Sequence, residues 1–260
     1  MTRPALSIVV PVLNEERCIG DFLQRVTEFL GSRERSWEVV VVDDGSTDGT
    51  VAAVAQWTVD TRIRLLKESH RGKGAAVRRG MLAAAGSWRL MTDADLSVPP
   101  DEWGKFLDTA EAGDAHVIVG SREAAGARRI GEPLARHLIG RVFNWVVQLA
   151  AVPGVDDTQC GFKLIRGDAA DAIFPHVTTD GFAFDVELLF LARRAGYRIR
   201  EVGVVWICRR DSRVRISRGA AAFLHVLNIP LKAWRGRYNS VRAGAVPGDH
   251  DVAATHHSSS

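Results

Sequence analysis

Short apolar runs rich in β-branched residues recur at nearly even spacing through the first 120 residues, and this alternation constrains the fold more than any other feature. The runs are Leu6–Pro11, Glu38–Val42, Arg62–Lys67, Ser87–Met91 and His116–Gly120. Helical patterns lie between them. One runs to about Leu30 behind Asn14 as its cap, with Glu15 and Glu16 in the first turn; the others are Thr50–Val59 behind Ser46 or Thr47, Gly74–Ala85 and Asp101–Glu111. Strands that stay apolar along their length, separated by amphipathic helices, specify an α/β fold with a mostly parallel sheet covered on both faces. In such sheets ligands bind beyond the carboxyl ends of the strands.

Those ends are acidic here. The first strand leads into Pro11-Val12-Leu13-Asn14-Glu15, the second into Asp43-Asp44-Gly45-Ser46, and the fourth into Thr92-Asp93-Ala94-Asp95. Two carboxylates one residue apart at a strand end form a small hard-oxygen site. It suits Mg²⁺ or Mn²⁺, with a nucleotide diphosphate completing the shell, although paired acids are also common in solvated loops. Asp43 and Asp44 can accept the imide N–H of a base or bind ribose hydroxyls; the same segment is also a good turn, and Asp48 reads as a cap. Lys73, between Gly72 and Gly74, either reaches the same phosphates or remains a solvated loop lysine.

Beyond Gly120 the pattern loosens. Leu134–Ala151 reads as helix, Gly161–Arg166 as strand, Asp185–Ala195 as helix and Arg198–Ile207 as strand. Gly219–Trp234 reads as a last helix, bent or ended near Pro230. The expected organisation is one domain over residues 1–238, with a nucleotide part to about 120 and an acceptor part beyond it, then a disordered tail over 239–260.

Bulk properties exclude several classes. At 46% hydrophobic and 25% charged the chain is of soluble globular composition, and its apolar stretches fall short of the roughly 20 residues that span a bilayer. The amino end does not read as a signal peptide, because its apolar run is broken by Pro11 and followed by Glu15 and Glu16. Cys18, Cys160 and Cys208 are odd in number and far apart, so a disulfide framework or zinc site is not expected and a cytoplasmic setting is. From Arg193 to Arg218 nine arginines face only Glu201 and Asp211. Such a stretch can meet phosphates, anionic lipid or nucleic acid. The last is poorly supported, since only Tyr197 and Trp206 are available to stack on bases. The apolar helix Gly219–Trp234, with basic residues at its ends, reads either as a peripheral contact with the inner face of a membrane or as a helix packed on the sheet.

Two familiar phosphate loops fail. Gly72-Lys73-Gly74-Ala75-Ala76-Val77 lacks the last glycine of a dinucleotide fingerprint and follows the third strand, and a Walker loop needs Ser or Thr where Gly74 stands. The ordered set Val9-Val10-Pro11-Val12-Leu13-Asn14-Glu15, Val42-Asp43-Asp44-Gly45-Ser46, Gly72-Lys73-Gly74, Asp93-Ala94-Asp95 and Gly120-Ser121-Arg122 instead resembles the family 2 glycosyltransferases, over roughly Leu6 to Lys232. Asp157-Thr158-Gln159-Cys160-Gly161-Phe162-Lys163 and Phe184-Asp185-Val186-Glu187-Leu188-Leu189 resemble the dolichyl-phosphate β-glucosyltransferases more than the related mannose synthases.

The resemblance implies a GT-A, Rossmann-like fold and transfer of a hexose, glucose first, from a nucleotide sugar, UDP-glucose first, to a polyprenyl or dolichyl phosphate. GDP-mannose as donor, a glycan or metabolite hydroxyl as acceptor, and a non-catalytic nucleotide-sugar binder are the alternatives. It places Pro11, Leu13, Glu15, Asp43, Asp44, Lys73, Asp93, Ala94 and Asp95 at the donor, and Asp93 and Asp95 at the Mg²⁺ or Mn²⁺. Arg122, Arg136 and Arg213 fall at the acceptor phosphate, where guanidinium grips oxygens bidentately. Asp157 and Asp185 compete as the catalytic carboxylate, and Glu187 reads as a structural partner of a nearby Arg.

Overall fold

The computed structural model describes residues 3–33, 36–133, 151–209 and 219–241, together with 137, 140, 141, 144, 145 and 147–149. The expected strands form as β1 (Leu6–Val12), β2 (Trp37–Asp43), β3 (Ile63–Lys67), β4 (Trp88–Met91) and β5 (Val117–Ser121). Helices α1 (Ile19–Gly31), α2 (Thr50–Ala55), α3 (Lys73–Ala83) and α4 (Trp103–Glu111) alternate with them. Alternate residues of each strand enter opposite cores, which is why the runs are apolar throughout. Val9, Val40 and Val42 join one core with Val77 and Met81 of α3, while Ile8, Val10, Val39 and Val41 join the other with Phe22 and Leu23 of α1.

The second half supplies β6 (Arg128–Ile130), β7 (Lys163–Arg166), α5 (Gly167–Ile173), α6 (Phe184–Arg194), β8 (Ile199–Gly203), β9 (Val205–Ile207) and α7 (Gly219–Trp234). The seven-stranded sheet has the order β3-β2-β1-β4-β7-β5-β8, with β7 antiparallel to both neighbours and every other pairing parallel. A mixed, mostly parallel sheet is therefore present as expected. Its one reversed strand matters for the site, because the loop entering β7 meets the carboxyl ends of β4 and β5.

Several local expectations are corrected. Asn14 does not cap α1, which begins five residues later; it sits at φ 52° and turns the chain out of β1. Ser46 and Thr47 do not cap α2, whose first residue, Thr50, is met by the Asp48 carboxylate at 3.0 Å. Arg198–Ile207 is not one strand. It leaves the large sheet after Gly203 and pairs with β6 as β9, because a Cβ at Gly203 would overlap the 125–127 backbone and Val204 is buried there. The last helix runs through Pro230 to Trp234, and α5 was not anticipated at all. Among the described residues no helix is long and apolar enough to cross a membrane. Most of the expected helix 134–151 and of the tail 239–260 lies outside the described residues.

Candidate active site

The carboxyl end of β4 opens into Thr92-Asp93-Ala94-Asp95, and Leu96 at φ 52° turns the chain back. The Asp95 carboxylate takes the Ser97 N–H at 2.9 Å and the Ser97 hydroxyl at 2.8 Å, while the Asp93 side chain is 38% exposed. Burial and the neighbouring charge of Asp93 push the Asp95 carboxyl above its usual range, against the pull of the Ser97 bonds and of Lys73. Two carboxylates that repel one another this way are relieved by a cation between them. Their donor set is hard oxygen and fits Mg²⁺ or Mn²⁺. Among the described residues no group of three or more His, Cys, Asp and Glu comes together as a complete metal cage. Any ion here would complete its shell with a ligand's oxygens.

Lys73 opens α3 and places its ammonium 2.6 Å from Asp93. Burial works against its charge, but Asp93, Asp185 and Asp95 together hold its pKa above the ordinary lysine value. The reading of Lys73 as a solvated loop lysine is thereby set aside. Its flanking glycines are required by close approach. A Cβ at Gly72 would lie 2.6 Å from the Asp180 carbonyl oxygen, and one at Gly74 would lie 2.7 Å from the Phe184 Cβ. That carbonyl accepts the Gly74 N–H at 2.7 Å.

The reversal of β7 brings residues 157–163 to the same rim. Lys163 lies opposite both Met91 of β4 and Val119 of β5, fully buried. A lysine in that position must be paired, and it is: its ammonium donates to Asp185 at 2.5 Å and to the Cys160 carbonyl at 2.6 Å. Asp185, in the first turn of α6, is itself buried, and burial raises its carboxyl above the usual range despite Lys163 and Lys73. Gly161 touches Asp93, since a Cβ there would overlap Asp93 Oδ2 and come within 3.1 Å of the Lys73 ammonium. The buried Cys160 thiol is pushed up to about 11 by burial and the Asp157 charge, which agrees with a packing role.

Asp157 and Arg122 form one unit. The Asp157 carboxylate takes Arg122 Nε at 2.6 Å, Nη2 at 2.8 Å and the Arg122 backbone N–H at 2.9 Å. Burial opposes ionisation of Asp157, but the guanidinium outweighs it and holds the carboxyl below its usual range. The Arg122 guanidinium also lies 5.3 Å from the centre of the Trp206 ring, and Trp206 lines a cleft with Thr92, Asp93, Gly161 and Phe162. The side chain expected at the acceptor phosphate and one of the two candidate catalytic carboxylates are thus paired with each other.

At the other end of the rim, Asp43 and Asp44 are buried. Asp43 accepts the Ser46 N–H at 3.2 Å, and Asp44 accepts Arg71 N–H at 2.8 Å, Gly72 N–H at 2.9 Å and the His70 ring at 2.9 Å. Asp44 therefore organises the loop that carries Lys73. The turn after β1 is stitched to the turn after β2. Asn14 receives the Thr47 N–H on its side chain and donates its own N–H to Ser46, and the Glu15 N–H goes to Thr50. Pro11, Leu13 and Glu15 are half-buried along this edge, and Ala94 is buried.

Arg136, Arg213 and Arg215 lie outside the described residues, and Arg141 pairs with Glu123 at 3.2 Å. Of the described arginines of the basic stretch, Arg198 donates to the Asp114 and Gly113 carbonyls, and Arg194 to Asn239. Among the described residues Glu187 has no arginine partner. It is fully buried and receives Thr178, Thr179, Tyr238 and Lys232 instead. Sequence reasoning passed over Lys163, Gly161 as a contact of Asp93, and Trp206 as a cleft wall. A lysine heading the apolar strand Lys163-Leu164-Ile165 was the available signal for the first.

Comparison with known proteins shows the family. The glycosyl transferase family 2 model matches residues 7–174. Dolichyl-phosphate β-glucosyltransferase of Dictyostelium discoideum is 35% identical over 215 residues, covering 77% of this chain and 66% of that protein. The Saccharomyces cerevisiae protein of the same name is 34% identical over 225 residues (77% and 66%), and the human one 33% over 216 (77% and 67%). The chain thus spans about two thirds of the length of these curated relatives. Among solved structures, glucosyl-3-phosphoglycerate synthase of Mycobacterium tuberculosis superposes with a TM-score of 0.64 at 18% identity in its complex with Mn²⁺ and UDP-glucose. That match covers 91% of this chain and 79% of that one. The same enzyme with UDP gives 0.63 at 18% identity, covering 91% and 80%. The sheet is that of the GT-A glycosyltransferases, and the chain belongs to glycosyl transferase family 2.

Proposed function

We propose that this chain is a metal-dependent inverting glycosyltransferase that moves glucose from UDP-glucose to the phosphate of a polyprenyl or dolichyl phosphate. The observation that carries the acceptor is the state of the two candidate bases. Asp157 is committed to Arg122 and Asp185 to Lys163. A sugar or metabolite hydroxyl must lose a proton as it attacks, and so needs a free base. A phosphate monoester, with a second pKa of about 6, is already mostly dianionic at pH 7. The names of the curated relatives support the same acceptor, and the Mn²⁺ and UDP-glucose bound by the structural neighbour support the donor.

In this reading an acceptor phosphate oxygen attacks C1 of the sugar from the face opposite the diphosphate. The new O–C1 bond forms as the bond from C1 to the diphosphate oxygen breaks, so an α-linked donor yields a β-linked product and UDP carries away the charge. Asp93 and Asp95 would hold Mg²⁺ or Mn²⁺, which when bound neutralises the leaving diphosphate as a Lewis acid. Lys73 adds a fixed positive charge beside Asp93. Asp43, Asp44 and the Pro11–Glu15 edge receive the base and ribose. Asp157 fixes the Arg122 fork and leaves Nη1 for an acceptor oxygen. Trp234, 84% exposed, and Leu231 lie near the exposed Arg235 and Arg237, which suits a peripheral contact with an anionic bilayer where the acceptor resides.

The test is transfer of radiolabelled sugar into an organic-extractable product, comparing UDP-glucose with GDP-mannose in the presence of a polyprenyl phosphate and Mg²⁺ or Mn²⁺. Metal-dependent label in the lipid phase with UDP-glucose is expected, and Asp185→Asn should keep appreciable activity. Label confined to water-soluble products, or complete loss of turnover in an Asp185→Asn protein that melts like the unmodified chain, would instead assign a hydroxyl acceptor and a true base.

A further inference from the structure

Lys73 is held in place from two sides. On one side Asp44 grips the backbone of Arg71 and Gly72. On the other, the Asp180 carbonyl receives the N–H groups of Gly74 and Ala75 at 2.7 and 3.3 Å, and the Asp180 carboxylate pairs with Arg71 at 2.8 Å and Arg78 at 3.3 Å. The glycines flanking Lys73 leave no slack between this loop and residues 179–180, because a Cβ at either would collide with that backbone. Wherever residues 178–180 sit, Lys73 must follow.

Those residues are set by Glu187. Its carboxylate, fully buried in α6, takes the Thr178 N–H at 2.9 Å, the Thr178 hydroxyl at 2.7 Å and the Thr179 N–H at 2.7 Å. The same carboxylate receives the Tyr238 hydroxyl and, at 3.4 Å, the Lys232 ammonium of α7. Burial disfavours its charge, yet the bonds from Tyr238, Thr178 and Thr179 keep its pKa below the usual carboxylate range. A buried carboxylate with this many donors fixes the position of each of them.

We infer that Glu187 is a positioning residue for the donor site: it holds residues 178–180 against the Gly72-Lys73-Gly74 loop and so couples the carboxyl-terminal helix to the placement of the Lys73 ammonium beside Asp93. The inference rests on the donor reading above and adds a residue that touches neither donor nor acceptor. It also gives the α7 segment a task. A shift of Lys232 and Tyr238 is transmitted through Glu187 and the Asp180 carbonyl to the start of α3.

The experiment is calorimetric binding of UDP with Mn²⁺, alongside steady-state kinetics and thermal melting. The proteins are the full chain, Glu187→Gln, Tyr238→Phe and Lys232→Met. Glu38→Gln serves as a matched destabilised control, because Glu38 joins a polar cluster with Ser7, Arg64 and Ala85 at the opposite end of the sheet. Glu187→Gln is expected to weaken UDP binding and raise the donor KM about tenfold, with kcat little changed. Tyr238→Phe and Lys232→Met should give smaller losses of the same kind, and Glu38→Gln should lower the melting temperature without moving the UDP affinity. Tyr238→Phe removes one donor and keeps the carboxylate, so it carries the test if Glu187→Gln does not fold, whereas Lys232 also bonds the Thr178 hydroxyl directly at 2.8 Å. UDP affinity unchanged in the folded variants, or lowered equally in Glu38→Gln, overturns the inference. Failure of the unmodified chain to bind UDP would overturn the donor reading itself.

Discussion

The carboxylates at the end of β4 and those of segment 157–187 share one rim but live under opposite conditions. Asp93, 38% exposed, is met by the Lys73 ammonium, while the partly buried Asp95 is repelled by Asp93 and held only by two bonds from Ser97 and the more distant Lys73. Asp157, Asp185 and Glu187 are buried, and each is matched to a cation or to several N–H and O–H donors. Charge that is left unbalanced in the protein is available to a ligand; charge that is already balanced sets geometry. That division fits the proposed roles, with the β4 end meeting an ion and a diphosphate and the facing side holding a shape.

The sharpest way to break this contrast is Asp95→Ala. On the proposed role of Asp95 as a metal ligand, its loss removes several kcal/mol of transition-state stabilisation, and transfer should fall by about a thousandfold or more. The melting temperature should hardly move, because the site is partly exposed. A variant that lost stability rather than turnover would place Asp95 with the structural carboxylates. Arg122→Met should cost stability as well as acceptor binding. Leaving Asp157 buried without its cation costs about 3–5 kcal/mol of folding stability, measurable by denaturant titration. An unchanged midpoint would mean that the pair is dispensable to the scaffold.

Gly161→Ala probes the seam between the two sets, since its new methyl group would press on Asp93 and Lys73. A displacement of that size is expected to lower turnover about a hundredfold, read from kcat at saturating donor. The smallest effect is that of pH. Asp157 and Glu187 have folded pKa values below their unfolded ones, so the stability they contribute is present above the unfolded value near 4 and is lost as the pH falls through their lower folded values. Asp95, shifted the other way, protonates first on acidification. Mn²⁺ binding should accordingly weaken at a higher pH than the fold does, a separation that paired titrations of binding and far-UV dichroism would detect.

Much of the donor half was legible because its information is local. Val39–Val42 and Ile8–Val10 announce buried parallel strands by composition, and Asp93 and Asp95 sit where a parallel sheet presents ligands. The partnerships were not legible, because they depend on strand order. Nothing near Lys163 in the chain says that β7 runs antiparallel between β4 and β5, which alone brings that lysine to Asp185. Asp157 and Asp185 looked equivalent as candidate bases for the same reason: each partner is supplied from an element distant in sequence. Asn14 misled because Asn suits both an N-cap and a left-handed turn, and here the turn won.

The cross-stitching of the turns after β1 and β2 bears on how donor choice can change. With Asn14, Ser46, Thr47, Glu15 and Thr50 sharing hydrogen bonds, neither turn has a shape of its own. A graft that imports one turn from a relative with a different nucleotide preference would arrive without the counterpart that folds it. On the proposed placement of the base at this edge, its selectivity is inherited as a pair of loops, and exchanging it requires moving both together.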